Sequence, residues 1–191
     1  MARIPLANID ELEEPTRSVV VGHPINLYRT LAHNAAGFSC FAAVGEWIRY
    51  GSSIDARQRE MLILAVGVID QSEYEFSHHV KIGRDFGLDD RDIVNVLDQV
   101  RDGRSDLRDV DALLVESARQ ITESRGLTDE AWTELAERFS IPELVEIVLI
   151  AGHYAAVTRV LGALQVEVER DYLGYLREFP MTSTRAADEP S

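Results

Sequence analysis

The sequence predicts an all-α fold, and three observations carry that expectation. Apolar residues recur three or four apart along most of the chain, no run alternates with period two between turn signals, and capping residues punctuate the apolar stretches. At 191 residues the chain fits one domain. A chain of this length buries roughly 70% of the surface its unfolded form exposes, enough to enclose a pocket.

Residues 1–22, with Pro5, Pro15 and the acidic cluster from Asp10 to Glu14, read as an N-terminal arm with one helical turn. The helical domain spans 23–179, and 180–191 read as a disordered tail. After Pro24, Ile25, Tyr28, Leu31 and Ala32 share a helical face; Phe41, Val44, Trp47 and Ile48 share the next, from Phe38 to Tyr50. Gly37 and Gly51 are expected to close these two helices. Asp55 is placed to cap a helix running from Arg57 to about Ile69, apolar on every side from Met61 onward, the pattern of a helix in the middle of a domain. Asp70 and Gln71 break it. Ser72 begins another helix with Glu75 at the capping-box position, and Gly87 ends that one. Further helices are expected around Ile93 to Leu97, from Val110 to Ser124 with Gly126 as the stop, and from Thr128 through Phe139. Ser140, Pro142 and Glu143 start a last helix that extends to about Tyr175, with Gly152 and Gly162 as candidate bends or breaks.

The balance of 33 acidic against 19 basic residues gives a net charge of -14 and no concentrated positive patch. That excludes a nucleic-acid or anionic-membrane surface. The N-terminus is acidic and lacks the apolar core of a secretory signal, and no apolar run is read as reaching the roughly 18 to 20 residues of a membrane span. A cytoplasmic protein is expected. Cys40 is the only cysteine, so one chain can form neither a disulfide nor a CxxC redox pair.

Candidate functional residues lie between Glu60 and Gly87. Glu60 shares a helical face with Ala56, Ile63, Leu64 and Gly67, so its carboxylate either faces apolar surroundings and needs a partner, or sits solvated in a first turn. Glu75 and His79 are four apart on a face continued by Ile82, Gly83 and Phe86, whereas Tyr74 and His78 form a second such pair turned about 100° away. A carboxylate accepting from His79 would raise the imidazole pKa and let it move protons near neutral pH. The plainer alternative is a capping acid beside a hydrogen-bonded core histidine. His153, on a face with Glu146, Leu149 and Ile150, is a second-rank candidate; His23 reads as a turn residue and His33 as a helix-end residue. Adjacent histidines diverge on a helix and no HExxH-type spacing occurs, so no metal site is expected. Ser72 is explained as a cap, and no nucleophile elbow or glycine-rich phosphate loop is present.

The run from Arg57 to Ile93, RQREMLILAVGVIDQSEYEFSHHVKIGRDFGLDDRDI, resembles the signature of the carboxymuconolactone decarboxylase family within the alkylhydroperoxidase D-like superfamily. The His23-Pro24 turn and the segment from Phe139 to Glu169 are also similar to that family, so the likeness covers most of the chain. It implies an AhpD-like helical bundle that assembles as a homotrimer or hexamer. In the peroxidase branch a glutamate is followed twelve residues on by a cysteine, three further by a second, and four beyond by a histidine. Glu60 and His79 match the outer two positions, while Ser72 and Glu75 stand where the cysteines would be. A thiol peroxidase is therefore disfavoured. The decarboxylase branch, similar through Tyr74-Glu75-Phe76 and His79, implies a cofactor-free lyase acting on a small carboxylated lactone or oxo acid in aromatic-compound breakdown. By that resemblance His79 is the proton donor, Glu75 and Glu60 orient it or relay protons, and Tyr74, His78 and His153 bind substrate. A non-catalytic binding or structural oligomer is the competing expectation.

Overall fold

The computed structural model describes residues 2–124 and 126–181. These residues are helical with no strand among them: α1 Thr16–Gly22, α2 Asn26–Leu31, α3 Ala35–Tyr50, α4 Ala56–Ile69, α5 Glu73–Asp85, α6 Asp90–Asp102, α7 Asp109–Arg119, α8 Asp129–Ala136, α9 Ile141–Leu164 and α10 Leu173–Glu178. The expected all-α class matches this architecture.

α4 is the hub, packing against α5, α6, α7 and α9. Every residue from Arg59 to Val68 is buried, as its all-round apolar sequence requires. Asp55 caps it by accepting from the Gln58 amide at 3.1 Å. The chain then reverses within three residues. Gln71 takes the left-handed conformation at φ 52°, the Ser72 amide donates to the Gly67 carbonyl, and Ser72 Oγ caps α5. Asp70, at the corner, accepts from Thr158 and Arg159 of α9 and so fixes the turn to the bundle. The reversal lays α5 back along α4, so that Glu60 in the second turn of α4 meets His79 in the middle of α5.

Close contact at this crossing depends on Gly67. A Cβ there would lie 3.1 Å from the Phe76 amide nitrogen and 3.3 Å from its Cα, backbone atoms that cannot step aside.

Several boundaries differ from the sequence expectation. α3 begins at Ala35, with Asn34 capping it through the Gly37 amide, so Gly37 lies inside the first turn and does not separate two helices. α6 extends to Asp102 and ends on left-handed Gly103, with an Asp89/Asp92 capping box at its start. α8 stops at Ala136, short of Phe139. α9 passes Gly152 and Gly162 without a break and ends at Leu164, where Gln165 turns left-handed at φ 52°. Residues 166–169 then run extended before a 3-10 turn, Arg170–Tyr172, and α10. A helix continued to Tyr175 would have carried this segment away from α5; the turn brings Glu169 back onto it.

The arm holds α1 as well as a 3-10 turn at Ile9–Glu11, more helix than a single turn. Ala7, Val20, Ala32 and Phe38 form a small second apolar cluster beneath it. Of the expected tail, 182–191 lie outside the described residues; the Pro180 and Met181 carbonyls accept from Arg101. One expectation is corrected outright: α9 is, by length and composition, apolar enough to cross a membrane. It is also a wall of the core, with Leu144, Ile147, Ile150, Ala151, Val157 and Leu161 buried among its neighbours.

Gly67→Ala should destabilise the protein by about 1–3 kcal/mol through overpacking. Gly162→Ala, whose Cβ would meet nothing within 4 Å, should be neutral or stabilising by up to about 1 kcal/mol from helix propensity. Urea unfolding of both variants checks the contrast, and equal effects would remove the special role given to Gly67.

Candidate active site

Glu60 enters from the second turn of α4, with Glu75 and His79 from successive turns of α5. All three are nearly solvent-free, at 1%, 4% and 4% exposure. His79 sits between the carboxylates: Nδ1 lies 2.7 Å from Glu60 Oε2 and Nε2 2.9 Å from Glu75 Oε1. The other Glu60 oxygen accepts from Arg59 Nε and Nη2 at 3.1 and 3.0 Å. Arg59 is itself buried, its guanidinium 4.6 Å above the Phe86 ring. The arrangement is a chain of four charged groups, Arg59–Glu60–His79–Glu75, that sums to zero when the imidazole carries both protons.

The surroundings favour that state. Burial alone would lower the His79 pKa, but the adjoining Glu60 and Glu75 carboxylates outweigh it and raise the value to about 9. Burial likewise pushes Glu60 upward, and His79 and Arg59 more than reverse it, holding the carboxyl below its ordinary range. Both imidazole nitrogens therefore donate at neutral pH, each to its own carboxylate.

Beside His79 lies a cavity of about 70 Å³, lined by Tyr28, Phe41, Arg49, Glu75, His79, His153 and Tyr154 among others. That is room for roughly two water molecules at a water's share of liquid volume, about 30 Å³. Glu75 and His79 face it, whereas Glu60 stands behind the imidazole and off the wall. The relay therefore has one end in contact with the cavity and the other anchored on Arg59. The Tyr154 ring meets His79 edge-on at 5.0 Å, and burial, with Glu75 and Glu60 nearby, pushes its phenol pKa well above 10. His153 packs against Phe41 with ring centroids 5.2 Å apart, and burial lowers its pKa despite nearby Glu75, leaving the imidazole neutral.

Tyr74 and His78 also line the cavity, but their polar atoms are engaged elsewhere. The Tyr74 hydroxyl donates to Glu169 Oε1 at 2.9 Å and accepts from the Leu27 amide; His78 Nε2 lies 2.8 Å from Glu169 Oε2. The His78 ring is stacked between Tyr74 at 4.3 Å and Tyr172 at 3.7 Å. This cluster ties the segment after α9 to α5. Glu75 follows the inward one of its two readings, because its carboxylate turns to His79 and leaves capping to Ser72 alone. His23 is a cavity wall residue as well as a turn residue, and His33 Nε2 contacts the Pro5 carbonyl at 2.8 Å.

Sequence reasoning missed Arg59, Arg49, Tyr28 and Tyr154 at the site, and Glu169 beside it. Arg59 adjoins Glu60 in sequence, and a buried carboxylate's need for a cation is the signal that could have singled it out. Glu169 is 91 residues from His78 and no local pattern points to the pair. Among the described residues no cluster of three or more His, Cys, Asp or Glu is arranged to hold a metal ion. Cys40 is exposed on α3 and is not among the residues lining the cavity.

The profile described as "Carboxymuconolactone decarboxylase family" matches residues 38–113, a span that includes Glu60, Glu75 and His79. No curated protein matches the sequence. Among solved structures, the chain is similar to a peroxidase-related protein with an alkylhydroperoxidase AhpD core from Ralstonia eutropha, with a TM-score of 0.76 and 19% identity over 90% of this chain and 94% of that one. A peroxidase-related protein from Silicibacter gives 0.74 and 19%, over 90% and 93%. The debrominase Bmp8, in complex with 2,3,4-tribromopyrrole, gives 0.76 and 16%, over 93% and 99%. At these identities the likeness establishes a shared fold.

The raised His79 pKa makes stability depend on pH. The imidazolium contribution is complete below its ordinary value of 6.5 and is lost as pH rises through about 9; Glu60 contributes above its ordinary 4.5 and loses its share in acid. Unfolding free energy should therefore fall by about 3 kcal/mol between pH 6 and pH 10 on account of His79. Glu60→Gln should lower the His79 titration, followed by imidazole NMR, and cost about 3–5 kcal/mol at pH 7 by stranding Arg59. A His79 resonance titrating at 6.5 or below in the unaltered protein would contradict this electrostatic account.

Proposed function

We infer that the chain is a member of the carboxymuconolactone decarboxylase family, whose profile matches residues 38–113, and propose that it is a cofactor-free acid/base lyase acting on a small carboxylated lactone or oxo acid. The observation that carries this reading is an imidazole held between two carboxylates, one of which lines a cavity. In the reaction the bond from carbon to the carboxylate breaks and CO2 departs. The electron pair remains on the carbon, delocalised into the conjugated carbonyl. A proton from the His79–Glu75 end of the relay then forms the new C–H bond, and water restores the proton. Glu60, backed by Arg59, holds the imidazole in place and keeps it charged.

Two other chemistries known by name among the structural neighbours, peroxide-related and debrominating, belong to those proteins. Thiol chemistry has no group at this site, since Ser72 and Glu75 occupy the positions that the family's peroxidase branch gives to cysteines. Tyr74 and His78, with their polar atoms engaged by Glu169, serve as cavity wall, and neutral His153 is the better placed to contact substrate.

In this reading the protein works in the cytoplasm as a homotrimer or hexamer. Support for self-association comes from the outer face of α9, where Ile141, Val145, Val148 and Leu149 are exposed side by side. Light scattering on the purified protein measures the assembly directly.

Carboxylated lactones and 3-oxo acids should be screened by CO2 release and loss of ultraviolet absorbance. Against an active compound, Glu75→Gln and His79→Gln should lower kcat by about 10²–10⁴-fold, the usual worth of a positioned proton donor. Full activity in both variants would overturn the assignment, and inactivity of the unaltered protein across the screen would favour a non-catalytic oligomer.

A further inference from the structure

The relay accounts for one wall of the cavity and leaves another unexplained. Arg49, in the last turn of α3, lines the cavity opposite Glu75 and His79 and is half-buried. Among the described residues it makes no hydrogen bond and no ion pair. Other arginines near the core do: Arg57 binds Asp92 and Asp111, Arg59 binds Glu60, and Arg119 binds Glu116 and two carbonyls. Glu46, one turn earlier on α3, lines the same cavity but does not pair with Arg49.

Two phenols share this condition. Tyr28 and Tyr154 line the cavity and their hydroxyls make no hydrogen bond among the described residues, although Tyr154 is only 7% exposed. Both rings are fixed by neighbours, Tyr28 edge-on to Phe38 at 5.1 Å and Tyr154 edge-on to His79. Both phenols feel the Arg49 charge, which opposes the rise that burial imposes on them. A guanidinium and two hydroxyls thus line one small space without a hydrogen-bond partner among the described residues, although the Glu46 and Glu75 carboxylates line it too. These donors keep solvent contact in the cavity, and a ligand acceptor that took the place of that water would satisfy them.

We propose that Arg49, Tyr28 and Tyr154 form a carboxylate-receiving site that anchors an organic acid in the cavity beside Glu75 and His79. The planar fork of Arg49 suits a carboxylate bidentately, and the phenols donate to its remaining lone pairs. Arg59, Glu60, His79 and Glu75 sum to zero and the exposed Glu46 balances Arg49, so the anion is drawn by the local geometry of the unpaired guanidinium and not by an excess of positive charge. Apolar Ile25, Leu27, Phe41 and Val157 complete the walls and suit a hydrocarbon or aromatic body on the acid.

The proposal deepens the lyase reading and rests on it in one respect, the direction of the reaction. A guanidinium clamped on the departing carboxylate would stabilise the ground state and slow the loss of CO2. The carboxylate held by Arg49 is accordingly one that the product keeps, and its role is to present the scissile group to Glu75.

Binding can be tested without turnover. Benzoate and its uncharged counterpart benzamide are titrated by calorimetry or NMR into the unaltered protein and into Arg49→Gln, Arg49→Lys, Tyr154→Phe and Glu75→Gln. The unaltered protein should bind benzoate and prefer it to benzamide. Arg49→Gln should lose tenfold or more of the benzoate affinity with benzamide little changed, Arg49→Lys should recover part of it, and Tyr154→Phe should lose severalfold. Because Arg49 has no partner to strand, the melting temperature of Arg49→Gln should stay within a few degrees of the parent. Glu75→Gln should keep benzoate binding even where turnover is lost, so failure of the lyase reading and failure of the anchor are distinguishable. Absence of benzoate binding, equal loss of both ligands in Arg49→Gln, or unchanged benzoate affinity in that variant would each overturn the assignment.

Discussion

The contact of the His79 imidazolium with Glu60 on one nitrogen and Glu75 on the other is the interaction on which the rest of the structure depends. Each of these groups is nearly free of solvent, and a buried charge without a partner costs several kcal/mol. Four charges can stay buried only because they alternate in sign along one chain, from Arg59 through Glu60 and His79 to Glu75. The apolar surface around them serves two ends. It strengthens each attraction by keeping water away, and it makes any break in the chain expensive.

That chain needs two helices in one particular register. The left-handed Gln71 and the Ser72 cap reverse the backbone in three residues, and Gly67 lets the two helices approach at Phe76. Asp70, bound by Thr158 and Arg159, fastens the reversal to α9. α9 in turn supplies Tyr154 and His153 to the cavity, so the turn that aligns the relay also positions the opposite wall. The Glu169 contacts with Tyr74 and His78 close the other side of α5. Rigidity around the imidazole therefore comes from both flanks, and the cavity is left as the open direction for proton transfer.

Much of the fold was legible in the sequence because its signals are local. The apolar run from Met61 to Ile69, the caps at Asp55, Ser72 and Thr128, and the left-handed stop at Gly87 each act within a few residues and appear where expected. The errors arose where a local signal was open to two outcomes. Gly37 is a helix breaker by propensity, yet the Asn34 cap places it within a first turn. Gly152 and Gly162 weaken a helix in isolation, yet the buried face of α9 carries it past both.

For the site, helical spacing was enough to put Glu75 next to His79, since four residues make one turn, and to give Glu60 an apolar face. The sequence by itself thus determined the helices, the inward face of α5 and the absence of a cysteine pair. Tertiary structure decided the rest: that Glu60 reaches the far nitrogen of His79, that Glu75 serves the relay in place of a capping box, that Tyr74 and His78 are occupied by Glu169, and that Arg49 faces the cavity without a partner. The reason is one of range. Backbone periodicity fixes which side of a helix a residue occupies, whereas the partner of a buried charge is set by which other helix is packed there, and that is a property of the whole chain.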